Sequence, residues 1–238
     1  PPSSSAPPRA DPPPRPAPAA SKPGPDRRPI IRMGTDLHHA IDEGVHALRS
    51  DGDLYQRDGA LVRVVRIAEP EPVTRLGALP AGMPQIREVA AATLRERMTR
   101  AARWERYDSR AEEWLDAVPT DHIVHAVAAR GEWPGIRPLV AFSETPIVRP
   151  DLSIVTSAGY DAVTGCIYLP SCELPRIPPR PTRDDAIAAV ELLSEPFEDF
   201  PYRGDADRVV PVAAILTMLA RSAIAGAVPA CVLDASTR

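Results

Sequence analysis

Five histidines and one close pair of aspartates are the residues best suited to metal chemistry. His38, His39 and His46 fall in or beside one predicted helix, and His39 and His46, seven apart, share a face. His122 and His125 are three apart on another, beside Asp121. A zinc site needs three or four ligands converging at about 2.0–2.3 Å, usually announced by a local signature. The sequence has no H-E-x-x-H, no paired C-x-x-C and no facial triad. The histidines therefore read as surface or helix-packing residues. Asp51-Gly52-Asp53 could hold a divalent ion for phosphoryl transfer if it lay on a sheet. It precedes a strand in a turn-rich stretch, so it reads as a turn. Asp205 and Asp207 read as helix N-terminal acids favoured by the macrodipole. A small metal-dependent hydrolase built on these groups is the least favoured reading. No G-x-S-x-G, G-x-G-x-x-G or G-x-x-x-x-G-K-[ST] is present. The expectation is a chain with no catalytic residue, no metal ligand and no cofactor of its own.

The one patch suited to phosphate is a set of arginines. The spacing of Ala90, Leu94, Met98 and Ala101 predicts a long helix over 86–110. At 100° per residue, Arg95, Arg103, Arg106 and Arg110 gather on its opposite face. Guanidinium forks match phosphate oxygens bidentately, and the nearby Trp104 and Tyr107 could stack on bases. Glu88, Glu96 and Glu105 interleave with them, so a solvated, ion-paired face is the plainer reading.

These residues must be carried by a framework. The 238 residues, 44% hydrophobic, suffice for a real core. The net charge of −4 gives no global support for nucleic-acid binding, so any such role needs a local patch. Lys22 is the sole lysine among 28 basic residues, which weakens any argument from arginine count. Three cysteines without paired motifs fit a reducing, cytoplasmic compartment. The longest apolar run, 209–220, is too short to span a bilayer, and no signal-peptide pattern opens the chain. Pro1 in place of methionine implies processing or a piece of a longer product.

Residues 1–29 hold twelve prolines and almost nothing apolar, which predicts a disordered, polyproline-rich tail. Residues 35–48 read as a helix. The runs 54–57 and 60–67 flank Asp58-Gly59, a strong hairpin signal. Residues 70–84 read as loop, and 121–130 as a helix ended by Gly131. Short strands follow at 139–142, 147–148, 153–156 and 166–169. After a proline-rich crossing at 175–181 come helices at 184–193, with Thr182 and Asp185 as a capping box, and at 205–224. A last strand is expected at 230–234. The whole reads as α+β, helices with a small antiparallel sheet, divided into the tail, a hairpin-plus-helix region over 30–132 and a strand-rich segment with C-terminal helices over 133–238.

The stretch from Trp133 onward resembles the region upstream of the ATPase core in primase–helicase-like proteins of phages and mobile elements. The resemblance is carried by Pro138-Leu139, Thr145-Pro146-Ile147-Val148-Arg149-Pro150-Asp151, Gly159-Tyr160-Asp161, Thr164-Gly165, Pro181-Thr182-Arg183-Asp184-Asp185-Ala186, Asp199-Phe200-Pro201 and Ala206-Asp207-Arg208. Leu54-Tyr55-Gln56-Arg57, Asp58-Gly59 and Leu61-Val62-Arg63-Val64 fit the family's hairpin. The chain departs from the pattern at Leu152, where a turn glycine is usual. The resemblance implies that a P-loop follows Arg238, with ATP and magnesium bound there and not within these residues. It implies a non-catalytic portion of a DNA-dependent ATPase, positioning DNA or mediating assembly. Its partners would be DNA, a second copy or its own ATPase domain, with no membrane. The alternative is a stand-alone interaction module or a degenerate remnant.

Overall fold

The structure is a computed structural model that describes residues 26–73, 77–173, 178 and 180–232. Most of the proline-rich tail and much of the 175–181 crossing lie outside the described residues. The chain is α+β, as its patterning predicts. Its sheets are small and mixed, with parallel as well as antiparallel pairs.

The first layer pair begins with β1 (Ile30–Met33) and α1 (Leu37–Leu48). Later come α2 (Ala91–Ala101), β7 (Arg103–Asp108), β8 (Glu113–Ala117) and α3 (Asp121–Ala128). β1 lies parallel to β7, and β8 antiparallel to β7 on its other side. The three helices bury their apolar stripes against one face of this sheet. Ile31, Leu48, Leu94, Met98, Trp104, Val124, Val127, Trp133 and Ile136 form the core. Two tryptophans close it in the same manner. Trp104 Nε1 donates to Met98 O at 3.0 Å and Trp133 Nε1 to Val127 O at 2.7 Å. Each indole thereby adds a second donor to a carbonyl in the last turn of a helix, beside Ala102 N at Met98 O and Arg130 N at Val127 O.

A second sheet runs β6-β3-β2-β9, from β2 (Tyr55–Arg57), β3 (Ala60–Arg66), β6 (Pro84–Glu88) and β9 (Arg137–Pro138). The β2–β3 hairpin turns at Asp58 (φ 49°) and Gly59 (φ 76°), the two successive left-handed residues that the Asp-Gly signal calls for. The Gln56 side chain ties this sheet to the end of α3. Its Nε2 donates to Trp133 O and Ile136 O at 2.9 and 2.6 Å, and its Oε1 accepts from Trp133 N at 3.1 Å. Tyr55, Val62, Leu139 and Ile167 make a second core beneath a third sheet. That sheet is β10 (Ala141–Ser143), β14 (Cys166–Tyr168) and β13 (Gly159–Asp161), in the order β10-β14-β13. The hairpin of β11 (Ile147–Val148) and β12 (Ile154–Val155) packs alongside, through Ile147 and Val155 against Cys166 and Tyr168.

Two helices follow. α4 (Arg183–Ser194) opens on the predicted capping box: Thr182 Oγ1 accepts from Asp185 N at 3.2 Å, and Asp185 Oδ2 accepts from Thr182 N at 2.8 Å. The Thr182 hydroxyl, donating to Asp185 Oδ2 at 2.7 Å, and then the Thr182 N–H hold the Asp185 carboxyl below its ordinary pKa. α5 (Asp205–Leu219) carries Asp205 and Asp207 in its first turn and Pro211, buried, within it.

Three expectations are corrected. The long helix over 86–110 is β6, α2 and β7. Ala102 is extended (φ −145°, ψ 158°), and beyond it the chain is claimed on both sides by β1 and β8. Pairing with two strands outweighs the modest helix propensity of Arg103–Asp108. The loop over 70–84 contains a second short hairpin, β4 (Glu71–Val73) with β5 (Gly77–Leu79). Of the strand expected at 230–234, residues 230–232 take no strand conformation and the remainder lies outside the described residues.

Candidate nucleic-acid interface

Because β7 is a strand, its side chains alternate between two faces, and the predicted arginine cluster is split. Trp104 points inward. It is 2% exposed and packed on α1, where its Cη2 would lie 3.1 Å from a Cβ on Gly44. It is a core residue and is removed from any role in base stacking. Arg103 and Tyr107 point outward. Arg106 points to the helix side, where it joins Arg95 of α2 in lining a groove of about 440 Å³ with Met33, Thr120 and Asp121. Arg95 is ion-paired there with Asp121. Arg110 sits exposed in the turn between β7 and β8, its backbone N–H donating to Asp108 Oδ1 at 2.8 Å.

The outward face of β1-β7-β8 gains residues from the neighbouring strands. The register sets Arg32 beside Glu105, Glu105 beside Asp116, and Tyr107 beside Trp114. Tyr107 and Trp114 have ring centroids 5.5 Å apart with planes at 60°. The Arg32 guanidinium lies 5.1 Å from the centroid of Trp114. Arg32 Nε also donates to Glu105 Oε2 at 3.2 Å, and Arg103 Nη2 reaches Asp116 Oδ1 at 2.7 Å. The bond to Asp116 raises the pKa of Arg103, so it stays charged at any accessible pH. Two arginines and two carboxylates thus cancel in formal charge. Two half-open aromatic rings remain between them, Tyr107 being 48% exposed.

Arg32 and Trp114 were not expected from the sequence. Their signal is the alternation in Glu113-Trp114-Leu115-Asp116-Ala117 and the apolar Ile30-Ile31 beside Pro29. Both segments are short, and neither shows its partner strand.

The metal candidates take structural roles. Asp51 Oδ1 accepts from Asp53 N at 3.0 Å, a side-chain-closed turn, and Asp51 Oδ2 pairs with Arg97 Nη1 at 2.5 Å. All five histidines are exposed. Among the described residues no group of three or more His, Cys, Asp or Glu is placed to hold a metal ion. No G-x-x-x-x-G-K-[ST] pattern occurs in the sequence. Among the described residues no helix is long and apolar enough to cross a membrane.

No protein-family model, curated protein or solved structure matches this chain.

Proposed function

We propose that this chain is a non-catalytic, DNA-positioning portion of an ATP-dependent DNA-handling protein, touching DNA with the outward face of β1-β7-β8. The observation that carries the contact is the grouping of Arg32, Arg103, Tyr107 and Trp114 on one open sheet face. Aromatic rings beside guanidinium groups supply stacking and phosphate contact together. Arg110, exposed in the turn between β7 and β8, lies at the rim of this face, whereas Arg95 and Arg106 face the helix side. The link to an ATPase rests on the resemblance of residues 133–238, with ATP and magnesium expected only if a P-loop follows Arg238.

The test is binding of the full chain to fluorescent DNA across a salt series, with the Arg32→Ala/Arg103→Ala double variant beside it. The expected result is binding at low salt that the double variant weakens. A folded protein that binds no DNA at low salt overturns the reading.

A second observation favours the alternative of an interaction module. α4 buries none of its residues, and Ile187, Val190 and Leu192 on α4 and Leu216 and Met218 on α5 are exposed. An apolar surface of this kind marks a contact site. A reading frame that continues from Arg238 into a P-loop favours the ATPase domain as its cover; a stop codon there favours the stand-alone module.

A further inference from the structure

We infer that the outward face of β1-β7-β8 takes single-stranded DNA by stacking unpaired bases on Tyr107 and Trp114, with phosphate contacts as the smaller contribution. The inference rests on the DNA-positioning reading and names its substrate.

Charge decides between the two ways a nucleic acid could be held. Every arginine on the face already has a carboxylate: Arg32 has Glu105 and Arg103 has Asp116. A phosphate arriving at either arginine replaces a carboxylate instead of filling an empty positive site, so little net attraction is gained. Glu105, with its side chain only 11% exposed between the two arginines, adds repulsion at the centre. A rigid, loop-free duplex offers this face mainly phosphates, since its bases are stacked on one another. A single strand offers rings.

The aromatic pair suits rings. Tyr107 is about half exposed, and the Arg32 guanidinium lies over the ring of its neighbour Trp114, 5.1 Å from the centroid. The backbone ladder Tyr107↔Trp114 fixes both residues on a rigid sheet, so little order is lost on binding. The other aromatic pairs are engaged differently. Tyr55 and Tyr160 enclose the Arg137 guanidinium, 4.8 Å from each ring. Phe200 and Tyr202 lie by the α4–α5 groove, where Arg208 covers the Tyr202 ring at 5.9 Å and Glu191, Glu195, Glu198 and Asp199 outnumber it, so the lining is net acidic.

The sequence provides its own reporter. Trp104 and Trp133 are 2% and 0% exposed, so Trp114 is the tryptophan that an external quencher reaches. The experiment titrates the full chain with a dT oligomer, an abasic oligomer of the same length and a blunt duplex of two annealed strands without a loop, following tryptophan emission and its quenching by acrylamide. The expected result is quenching by the dT oligomer, and protection of Trp114 from acrylamide. Affinity should fall roughly tenfold in Tyr107→Ala and be retained in Tyr107→Phe. The salt slope for the single strand should stay below about 1.5 in magnitude, the value for two phosphate contacts. Unchanged emission of the two buried tryptophans shows that the variants are folded. Equal binding of the abasic or blunt DNA, a steep salt slope, or full affinity in Tyr107→Ala overturns base stacking while leaving DNA positioning intact. No binding of any of the three DNAs overturns both.

Discussion

Arg149 and Asp161 join two turns of the strand-rich half through an ion pair buried on its carboxylate side. Arg149 Nε and Nη2 lie 3.0 and 2.7 Å from Asp161 Oδ1, and Thr164 N and Oγ1 donate to Oδ2 at 3.1 and 2.8 Å. The Asp161 side chain is 5% exposed. The residues that carry the family resemblance here, Arg149, Asp161 and Thr164, thus have a physical reason to occur together: they lock the β11–β12 hairpin to the β13–β14 turn.

This pair makes stability depend on acid. The Arg149 guanidinium, followed by the Thr164 donors, lowers the Asp161 pKa from 3.8 to about 2. A depressed carboxylate contributes stability that is fully present above its unfolded pKa and lost as pH falls through its folded one. The urea midpoint should therefore drop between about pH 4 and pH 2, and Asp161→Asn should remove part of that dependence. At neutral pH Asp161→Asn should cost about 2–3 kcal/mol, since it leaves the guanidinium facing a neutral group. Equilibrium urea unfolding of both proteins at pH 7 and pH 3 checks both statements.

Leu152 stands where the resemblance expects a turn glycine, and its φ is +65°. The turn is closed by Leu152 N to Arg149 O at 2.8 Å and Arg149 N to Ser153 O at 2.9 Å, so the backbone has no freedom to escape the left-handed region. The side chain is 75% exposed and contributes little packing in return. Leu152→Gly should stabilise the chain by about 0.5–1 kcal/mol, the left-handed penalty less the extra unfolded-state entropy of glycine. A lower thermal midpoint in the variant would contradict this.

Gly44 lets α1 lie against the Trp104 indole. A Cβ there would meet Trp104 Cη2 at 3.1 Å and Met98 Cε at 3.5 Å. Gly44→Val forces the ring outward from the Met98 carbonyl it donates to and should cost about 1–3 kcal/mol. Denaturant unfolding measures the cost, and a red-shifted Trp104 emission would locate it.

Gln56→Leu should loosen the junction between α3 and the β2 edge. It removes three hydrogen bonds and strands the Trp133 N–H and the Ile136 carbonyl, while the Trp133 carbonyl keeps Ile136 N, at a cost of about 2 kcal/mol. Amide exchange at Trp133 should accelerate more than exchange within α2.

Local chemistry was legible in the sequence wherever a few neighbouring residues decide the outcome. Asp58-Gly59 fixes its turn through φ alone, Thr182 and Asp185 cap α4 through each other, and Gly131 takes its left-handed place after α3 (φ 83°). The site was not legible for the opposite reason. Leu94, Met98 and Ala101 keep helical spacing to the end of α2, and the next six residues show nothing locally that forbids continuing. What makes Arg103–Asp108 a strand is β1 on one side and β8 on the other. The same distant pairing turns Trp104 into the core and brings Trp114 and Arg32 beside Tyr107. An arginine face read from helical angles is therefore divided between the two faces of a strand, Arg103 on one and Arg106 on the other.

The parallel ladder between β1 and β7 has a consequence for how the chain folds. Arg32 and Glu105 are 73 residues apart, and three of the four strands of the second sheet, β2, β3 and β6, lie between them in sequence. Closing that loop must follow synthesis of β7, so β1 waits unpaired while the β2–β3 hairpin has already formed from adjacent residues. Folding should be slow for a chain with this much helix, with hairpin amides protected early and Ile31 last among the core residues to become ordered.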